Sequence, residues 1–256
     1  MRLFFSVFIS LFVSAVFFFT IKFWGLSQRY INYNHPFYSE QNKVGAKPLV
    51  FQKSNATNLV QNLNSTENLY LDIAITLDQQ IAVPLDTTDA KKDYKFRQIN
   101  YADKKVPAIL LSDYVNEIKG KKIILNLMEN PVAGPDILLA ELKKMGLGKA
   151  ENFVFTSPFD AQMKDLKEKA PAYIFATTNP EILRIKSMES VYLMEAAVFR
   201  SDIVIHPLKF YREMFFTETL LKDLKRRFKR FIAGPLKTED VPAALALNPL
   251  GIIIQN

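Results

Sequence analysis

Residues 69–78, LYLDIAITLD, and residues 81–86, IAVPLD, decide the fold of this chain. The first stretch is almost continuously apolar over the length of one strand, which is typical of a strand buried on both faces in a parallel sheet. A polar turn separates it from the second stretch, which is again short and extended in character. Three carboxylates occur in these stretches: Asp72 lies within the first apolar run, and Asp78 and Asp86 end the two stretches. We therefore expect a buried strand that carries an acidic side chain, followed by a second extended segment.

Eight short apolar runs alternate with longer amphipathic runs along most of the chain. The expected strands cover residues 49–53, 69–76, 123–128, 153–157, 173–177, 203–206, 230–234 and 251–254. Between them, helices are expected over residues 136–145, 161–168, 181–188 and 217–228. Eight strands alternating with helices predict an α/β fold, a (β/α)8 or TIM barrel over residues 47–256. No helix is expected after the eighth strand, so the preceding tether, another protein or a membrane surface would cover that side.

The beginning of the chain differs in composition from the rest. Residues 3–21 contain no Asp, Glu, Lys or Arg and are rich in phenylalanine. At about 1.5 Å per residue, a helix over this run spans roughly the 30 Å hydrocarbon core of a bilayer. Arg2 precedes the run, and Lys22 and Trp24 come after it as interfacial anchors. Residues 1–26 are therefore predicted to be a transmembrane signal-anchor that precedes the barrel.

A cleaved signal peptide is the alternative for the same segment. The apolar part of a signal peptide is usually shorter, and no small-x-small cleavage site occurs between the run and Lys22. An uncleaved N-terminal anchor usually directs the export of the domain attached to it, so we expect a single-pass membrane protein with its domain on the exported side. Residues 27–46 are polar and aromatic and are predicted to be a tether, in which His35 would be a solvated linker residue.

Composition excludes several classes of site and partner. The 256 residues contain no cysteine, which excludes disulfides and thiolate metal sites. The net charge of +7 suits a surface that faces anionic lipid, and it also suits an ordinary basic protein. The sequence has no zinc-finger, helix-turn-helix or RNA-binding motif, so no nucleic-acid partner is expected. A protein partner is not predicted.

The stretch at 69–86 resembles the signature of the glycerophosphodiester phosphodiesterase family. In that family, a strand with the pattern Glu-x-Asp-x-x-x-Thr-x-Asp precedes a short run that ends in His-Asp. This chain keeps Asp72 and Asp86, whereas Tyr70 stands at the position of the Glu and Leu85 at that of the His. The resemblance implies a phospholipase C-like phosphodiesterase TIM barrel, in a divergent member with its catalytic positions replaced.

Other segments resemble the same family in the correct order. Residues 49–54, LVFQKS, are similar to its first strand, with Gln52 and Lys53 in place of His and Arg. In the third strand, Asn126 replaces a metal-binding Glu and Met128 replaces a Lys. Further similar segments are residues 106–110, 155–160, 233–236 and 251–255. The resemblance therefore covers most of residues 47–256.

The resemblance implies chemistry for which most of the expected groups are missing. The family uses three carboxylates to hold a divalent metal, which polarises the phosphoryl oxygens, and histidines for acid/base work. Here Asp72 is the one retained carboxylate, and it would otherwise be an inward strand residue bonded to Lys53 or a loop amide. Tyr70 and Asn126 are poor substitutes as ligands of Ca²⁺ or Mg²⁺. No cofactor is therefore expected, except Ca²⁺ or Mg²⁺ if the protein is active.

Three further groups of residues are candidates for function. His206 ends the sixth strand, on the side where barrel enzymes place catalytic groups, and is either catalytic or structural. A basic loop would hang over the mouth and be solvated or hold phosphate; it comprises Lys91, Lys92, Lys95, Arg97, Lys104 and Lys105. A second basic cluster would complement a helix end or contact anionic lipid. That cluster comprises Lys222, Lys225, Arg226, Arg227, Lys229 and Arg230.

These observations predict a membrane-anchored barrel similar to glycerophosphodiester phosphodiesterases. We expect a catalytically impaired pseudoenzyme that binds a phosphate or a lipid headgroup. One alternative is a divergent but active phosphoric diester hydrolase of glycerophospholipid metabolism. It would use Asp72, Asp86, Asn126 and His206. A second alternative is a structural scaffold whose mouth is filled by Tyr70, Leu85 and Met128.

Overall fold

The computed structural model describes residues 2–32, 34–43, 46–65, 68–85, 96–103, 108–129, 131 and 133–255. The helices within these residues are α1 (Arg2–Ser27), α2 (Leu59–Ser65), α3 (Val115–Ile118), α4 (Gly134–Lys144), α5 (Asp160–Lys169), α6 (Asn179–Ser190), α7 (Glu218–Arg226) and α8 (Val241–Ala246). The strands are β1 (Leu49–Ser54), β2 (Asn68–Ile75), β3 (Ile81–Pro84), β4 (Ala108–Leu110), β5 (Lys122–Leu127), β6 (Phe153–Thr156), β7 (Ile174–Phe175), β8 (Ile203–His206), β9 (Lys209–Phe210), β10 (Glu213–Met214), β11 (Arg230–Leu236) and β12 (Gly251–Ile254).

Eight of the described strands form one parallel sheet that closes into a barrel. Their order is β7-β6-β5-β2-β1-β12-β11-β8. A parallel bridge between Ala176, just after β7, and Ile203 in β8 joins the two ends of this series. Each of the eight strands lies on one of the eight predicted apolar runs. The prediction of a (β/α)8 barrel preceded by an apolar N-terminal helix is therefore confirmed.

Two short hairpins extend the barrel beyond the predicted strands. β3 pairs antiparallel with the end of β2, and β4 pairs antiparallel with β3. The second extended run of the sequence is thus β3, which ends one residue before Leu85, while Asp86 lies outside the described residues. β9 and β10 form a small antiparallel pair after β8. Both hairpins come after the carboxyl ends of barrel strands, so they border the mouth.

The two faces of each barrel strand have different neighbours, because successive side chains of a strand point to opposite sides. Phe51, Tyr70, Ile124 and Val154 pack together inside the barrel. Leu71, on the other face of β2, belongs to the layer between the strands and the helices. This alternation directs four polar side chains into the barrel near the carboxyl ends of their strands: Lys53, Asp72, Asn126 and Thr156. Polar side chains of four adjacent strands therefore meet at the mouth.

The segment between α1 and β1 closes the amino-terminal end of the barrel. Phe37 is fully buried and stacks on Phe51, with 6.3 Å between the ring centroids. Lys122, at the start of β5, donates a hydrogen bond of 2.5 Å to the carbonyl of Phe37. His35 is only 2 % exposed; it accepts from the amide of Phe37 and donates through Nε2 to Ala172. The prediction that His35 is a solvated linker residue is wrong, because the open apolar end of the barrel buries this segment.

Residues Phe4–Ser27 of α1 form a helix that is long and apolar enough to cross a membrane. The end of this helix contacts the turn Met194–Ala196. Gly25 approaches that turn so closely that a Cβ atom there would lie 2.5 Å from the backbone of Glu195. Arg226, at the end of α7, donates to the carbonyl of Gly25 at 3.0 Å. Helix α1 is therefore attached to the amino-terminal end of the barrel.

Candidate functional site

Asp72 lies at the mouth, where three neighbouring side chains hold its carboxylate. The ammonium of Lys53 is 3.2 Å from Oδ2, and Nδ2 of Asn126 donates to Oδ1 at 2.6 Å. The Tyr70 hydroxyl, two residues earlier on the same face of β2, lies close to this carboxylate. Strand pairing brings the four together, because Lys53 is the register partner of Tyr70, and Asp72 that of Asn126. The structure thus contains the bond between Asp72 and Lys53 that the sequence analysis considered.

The residues around Asp72 do not fit a divalent metal. Tyr70 is buried, and this burial, with a smaller contribution from the charge of Asp72, raises the pKa of its hydroxyl well above the usual value. The hydroxyl therefore stays protonated. Ca²⁺ and Mg²⁺ need several oxygen ligands, usually with more than one carboxylate. No group of three or more His, Cys, Asp or Glu that could hold a metal occurs among the described residues. The positive charge beside Asp72 is instead that of Lys53.

A cavity of about 330 Å³, here called the mouth cavity, opens beside this network. Its polar wall comes from side chains at the carboxyl ends of the strands. These are Tyr70, Asn126, Thr156, Ser157, Thr177, Asn179 and His206. None of the described residues that line it is a carboxylate. Tyr70 and Met128 belong to its wall without filling it, and Leu85 does not line it. The cavity therefore offers hydroxyl and amide groups to a polar ligand.

Most of these polar lining residues were not predicted from the sequence. Ser157 donates from its hydroxyl to the carbonyl of Leu127 at 2.9 Å, which fixes the loop after β6 against β5. Thr178 caps α6 by accepting from the amide of Glu181, so Asn179 begins that helix at the cavity. The sequence did contain a signal for these residues, because a polar residue directly after a barrel strand lies at the face that carries active sites.

His206 ends β8 and reaches the same cavity. Its Nδ1 is 2.8 Å from the carbonyl of Pro207, so Nδ1 carries the proton in the neutral ring and Nε2 is unprotonated. The ring stacks on Phe215 with 4.0 Å between centroids. Burial lowers the pKa of His206 below its ordinary value, and the charge of Lys186 lowers it further. The side chain is therefore a neutral imidazole in the wall of the cavity.

The other positions equivalent to family catalytic residues lie away from the mouth cavity. Gln52 lies between Phe51 and Lys53 in the sequence, so it occupies the outer face of β1. It is 7 % exposed, and the described residues offer no partner to its Nε2. Leu85 is 40 % exposed next to the loop after β1, where its carbonyl accepts from Thr57. Neither side chain lines the cavity, and neither an amide nor an alkyl group can act as an acid or base near neutral pH.

Of the predicted basic loop, Arg97 alone lies within the described residues. The amides of Phe96 and Arg97 donate to the carboxylate of Glu129 at 2.7 and 3.1 Å. Phe96 is buried against Ala74, above the end of β2. Glu129, at the mouth, thus holds a loop in place and is not directed at a ligand.

The predicted basic cluster at the end of α7 divides into two groups. Arg227 is buried and forms hydrogen bonds with Asp223 and with the carbonyls of Met194 and Glu195. Arg226 shares Asp223, and Lys229 donates to the carbonyl of Ser201. Arg226 and Arg227 stabilise the junction between α1 and the barrel, whereas Lys229 stabilises the segment before β8. The exposed members are Lys222, Lys225 and Arg230.

Solved structures with this fold include several glycerophosphodiester phosphodiesterases. The enzyme of Parabacteroides distasonis has a TM-score of 0.58 at 14 % identity, over 82 % of this chain and 94 % of its own. That of Agrobacterium tumefaciens has a TM-score of 0.57 at 13 % identity, over 82 % and 96 %. A phosphodiesterase of Oleispira antarctica, solved in complex with its product sn-glycerol-3-phosphate, has a TM-score of 0.59 at 13 % identity, over 81 % and 92 %. No family model and no curated protein matches the sequence. The predicted resemblance is confirmed at the level of the fold.

Proposed function

We propose that this protein is a membrane-anchored binding protein with the fold of a glycerophosphodiester phosphodiesterase, whose mouth cavity takes a phosphate ester without a metal. The ion pair between Lys53 and Asp72 carries this proposal. The ammonium of Lys53 pairs with Asp72, which is the one carboxylate that remains of the metal site expected from the family resemblance. The ligand class is a glycerol phosphate, a related phosphodiester or a lipid headgroup, and hydrolysis is impaired.

The physical argument starts from what hydrolysis of a phosphodiester requires. A divalent metal stabilises charge on the phosphoryl oxygens, a base activates the attacking hydroxyl and an acid protonates the leaving alkoxide. Lys53 supplies one fixed positive charge, which can attract a phosphate but cannot act as a Lewis acid that activates water, as a divalent metal would. The hydroxyl and amide groups of Thr156, Ser157 and Asn179 suit the remaining oxygens of such a ligand. The site can therefore still bind a phosphate ester although it lacks the groups that phosphodiester hydrolysis requires.

The ligand class is supported by charge and by the comparison with the Oleispira structure. The mouth cavity has no acidic lining residue among those described, so it would not repel a phosphate. Lys53 does not line the cavity itself, but it pairs with Asp72 beside the lining residue Asn126, and its side chain keeps 19 % of its surface exposed, so its charge can act on a ligand there. The Oleispira phosphodiesterase, which has the same fold, was solved with sn-glycerol-3-phosphate.

Calorimetric titration of the full chain in detergent with sn-glycerol-3-phosphate, in the presence of EDTA, tests the proposal. We expect binding without metal, and at least about tenfold weaker binding in Lys53→Met, because a hydrogen bond to a charged group contributes about 1.5–3 kcal/mol. Lys53→Met with Asp72→Asn removes both charges and guards against misfolding through an unpaired Asp72. Lys164→Met, on the exposed face of α5, is the matched control. Binding that requires added Ca²⁺ or Mg²⁺ would contradict the proposal.

One observation favours a second candidate function, a divergent and metal-independent hydrolase. The unprotonated Nε2 of His206 belongs to a side chain in the wall of the mouth cavity, where it could act as a base. Slow release of glycerol phosphate from a glycerophosphodiester in EDTA, abolished by His206→Gln, would support this candidate. Equal background rates in the wild type and in His206→Gln would exclude it.

A further inference from the structure

A second cavity lies at the opposite end of the barrel from the mouth. It measures about 340 Å³ and is bounded by α7, the start of β11 and the residues that precede β12. Its cationic lining residues are Lys47, Lys225, Lys229 and Arg230. None of its described lining residues is acidic, and Leu221, Leu224 and Phe231 supply an apolar wall. We call this the basic cavity.

The basic cavity is next to the point where α1 joins the barrel. Arg226, the neighbour of Lys225, donates to the carbonyl of Gly25, one residue after Trp24. The guanidinium of Arg227 lies 4.9 Å from the ring centroid of Tyr30. Lys22 and Trp24 come directly after the apolar run of α1, and such residues occupy the headgroup layer of a bilayer. The basic cavity lies at this end of the barrel, so a bilayer that holds α1 would bring lipid phosphates close to it.

The surface around the same end has the character of a membrane interface. Tyr192 is 77 % exposed, and its carbonyl accepts from Lys22 of α1. Phe228 is 48 % exposed directly after α7, with a backbone φ of 55°, a conformation that is rare for a bulky residue. Exposed aromatic rings beside cations are typical of the interfacial layer. The positive charge, the exposed aromatic side chains and the position at the end that carries α1 therefore all favour contact with a membrane.

We infer that the basic cavity binds the phosphate-bearing headgroup of an anionic phospholipid in the membrane that holds α1. This inference rests on the proposed anchoring by α1. Cations beside an anionic surface attract its lipids, and anchoring by α1 would keep the cavity at the membrane. The acyl chains of the lipid would stay in the bilayer while the phosphate contacts Lys47 and Lys225. The amino-terminal end of the barrel then faces the membrane, and the mouth faces water.

The test compares lipids retained by the full chain when it is purified from mixed micelles of phosphatidylglycerol and phosphatidylcholine, with native mass spectrometry as the readout. We expect several-fold enrichment of phosphatidylglycerol on the wild type and loss of that enrichment in Lys47→Glu/Lys225→Glu. Both side chains are exposed, so unfolding should occur at the wild-type temperature. The matched control, Lys209→Glu/Arg212→Glu, reverses two exposed charges at the mouth and should keep the enrichment.

Two results would overturn the inference. One is equal retention of both lipids by the wild type, and the other is an equal loss in the two charge-reversal variants, which would indicate diffuse attraction without a site. Extraction of membranes with alkaline carbonate separates failure of the anchoring from failure of the lipid site. A chain that is extracted has no anchor, whereas a chain that stays in the membrane without lipid preference lacks only the lipid site.

Discussion

The ammonium of Lys53 lies 3.2 Å from Oδ2 of Asp72, in a barrel whose relatives by fold include glycerophosphodiester phosphodiesterases. Asn126 donates a hydrogen bond to the same carboxylate, and the Tyr70 hydroxyl lies close to it. The carboxylate of Asp72 therefore has its partners within the protein, and a buried carboxylate is stable only while such partners are present. A side-chain cation can balance its charge, but it cannot activate water as a divalent metal does.

The first prediction concerns the stability of this pair. Lys53→Met should lower the free energy of unfolding by about 3 kcal/mol, because it leaves Asp72 buried without a counter-charge. Adding Asp72→Asn should restore most of the loss, since no net charge then remains at the site. Urea denaturation monitored by circular dichroism measures both. Equal free energies of unfolding for the single and double variants would mean that the charge of Asp72 does not need Lys53 for the stability of the fold.

A second prediction concerns the recreation of a metal site. Tyr70→Glu with Asn126→Glu should place two further carboxylates beside Asp72, because the registers of β2 and β5 align these positions. Three carboxylates should bind Ca²⁺ more tightly than one, and Lys53→Met should tighten binding further by removing the competing ammonium. Calorimetric titration with Ca²⁺ measures the effect. If the folded triple variant binds no better than wild type, the rim of this barrel does not have the geometry of a metal site.

The third prediction is a dependence of stability on pH through His206. Burial lowers the pKa of the folded-state imidazole below its ordinary value of about 6.5, so the unfolded chain binds the proton more readily. Stability should be complete above that pH and should fall as the pH decreases towards the folded-state pKa. Denaturation at about pH 7.5 and about pH 5 should show a smaller decrease in His206→Gln than in wild type. The same decrease in both proteins would show that His206 is not responsible.

A fourth prediction concerns α1 as an uncleaved anchor. The mature protein should retain residues 3–21, because this run is long enough to span a bilayer and its end is fixed by Gly25 and Arg226 to the barrel. N-terminal sequencing of protein isolated from membranes gives the answer directly. A mature chain that begins after residue 22 would identify the segment as a signal peptide.

The sequence predicted the barrel well because strands buried on both faces are continuous apolar runs, and all eight such runs became strands. It also indicated the contact between Lys53 and Asp72. It did not predict the burial of His35, since the composition of residues 27–46 is that of a linker and only the open end of the barrel makes burial favourable. The polar wall of Thr156, Ser157 and Asn179 was missed because hydroxyl and amide residues at loop starts also serve as helix caps.

The basic cluster at α7 illustrates a similar limit. The sequence does not distinguish the six cations within these nine residues. In the fold, however, Arg227 points inward to Asp223, and Lys229 donates to the carbonyl of Ser201. Lys225 remains exposed at the surface. Which cations become structural depends on backbone carbonyls that are distant along the chain, and local patterns do not contain that information.

The central claim is that the mouth binds a phosphate ester but no longer hydrolyses phosphodiesters with a metal. The most direct measurement is the turnover of glycerophosphocholine by the purified full chain, with Ca²⁺ or Mg²⁺ supplied. The account predicts no hydrolysis above background, with or without metal. A rate of about one per second, at the low end for ordinary enzymes, that is lost in Asp72→Asn would contradict it.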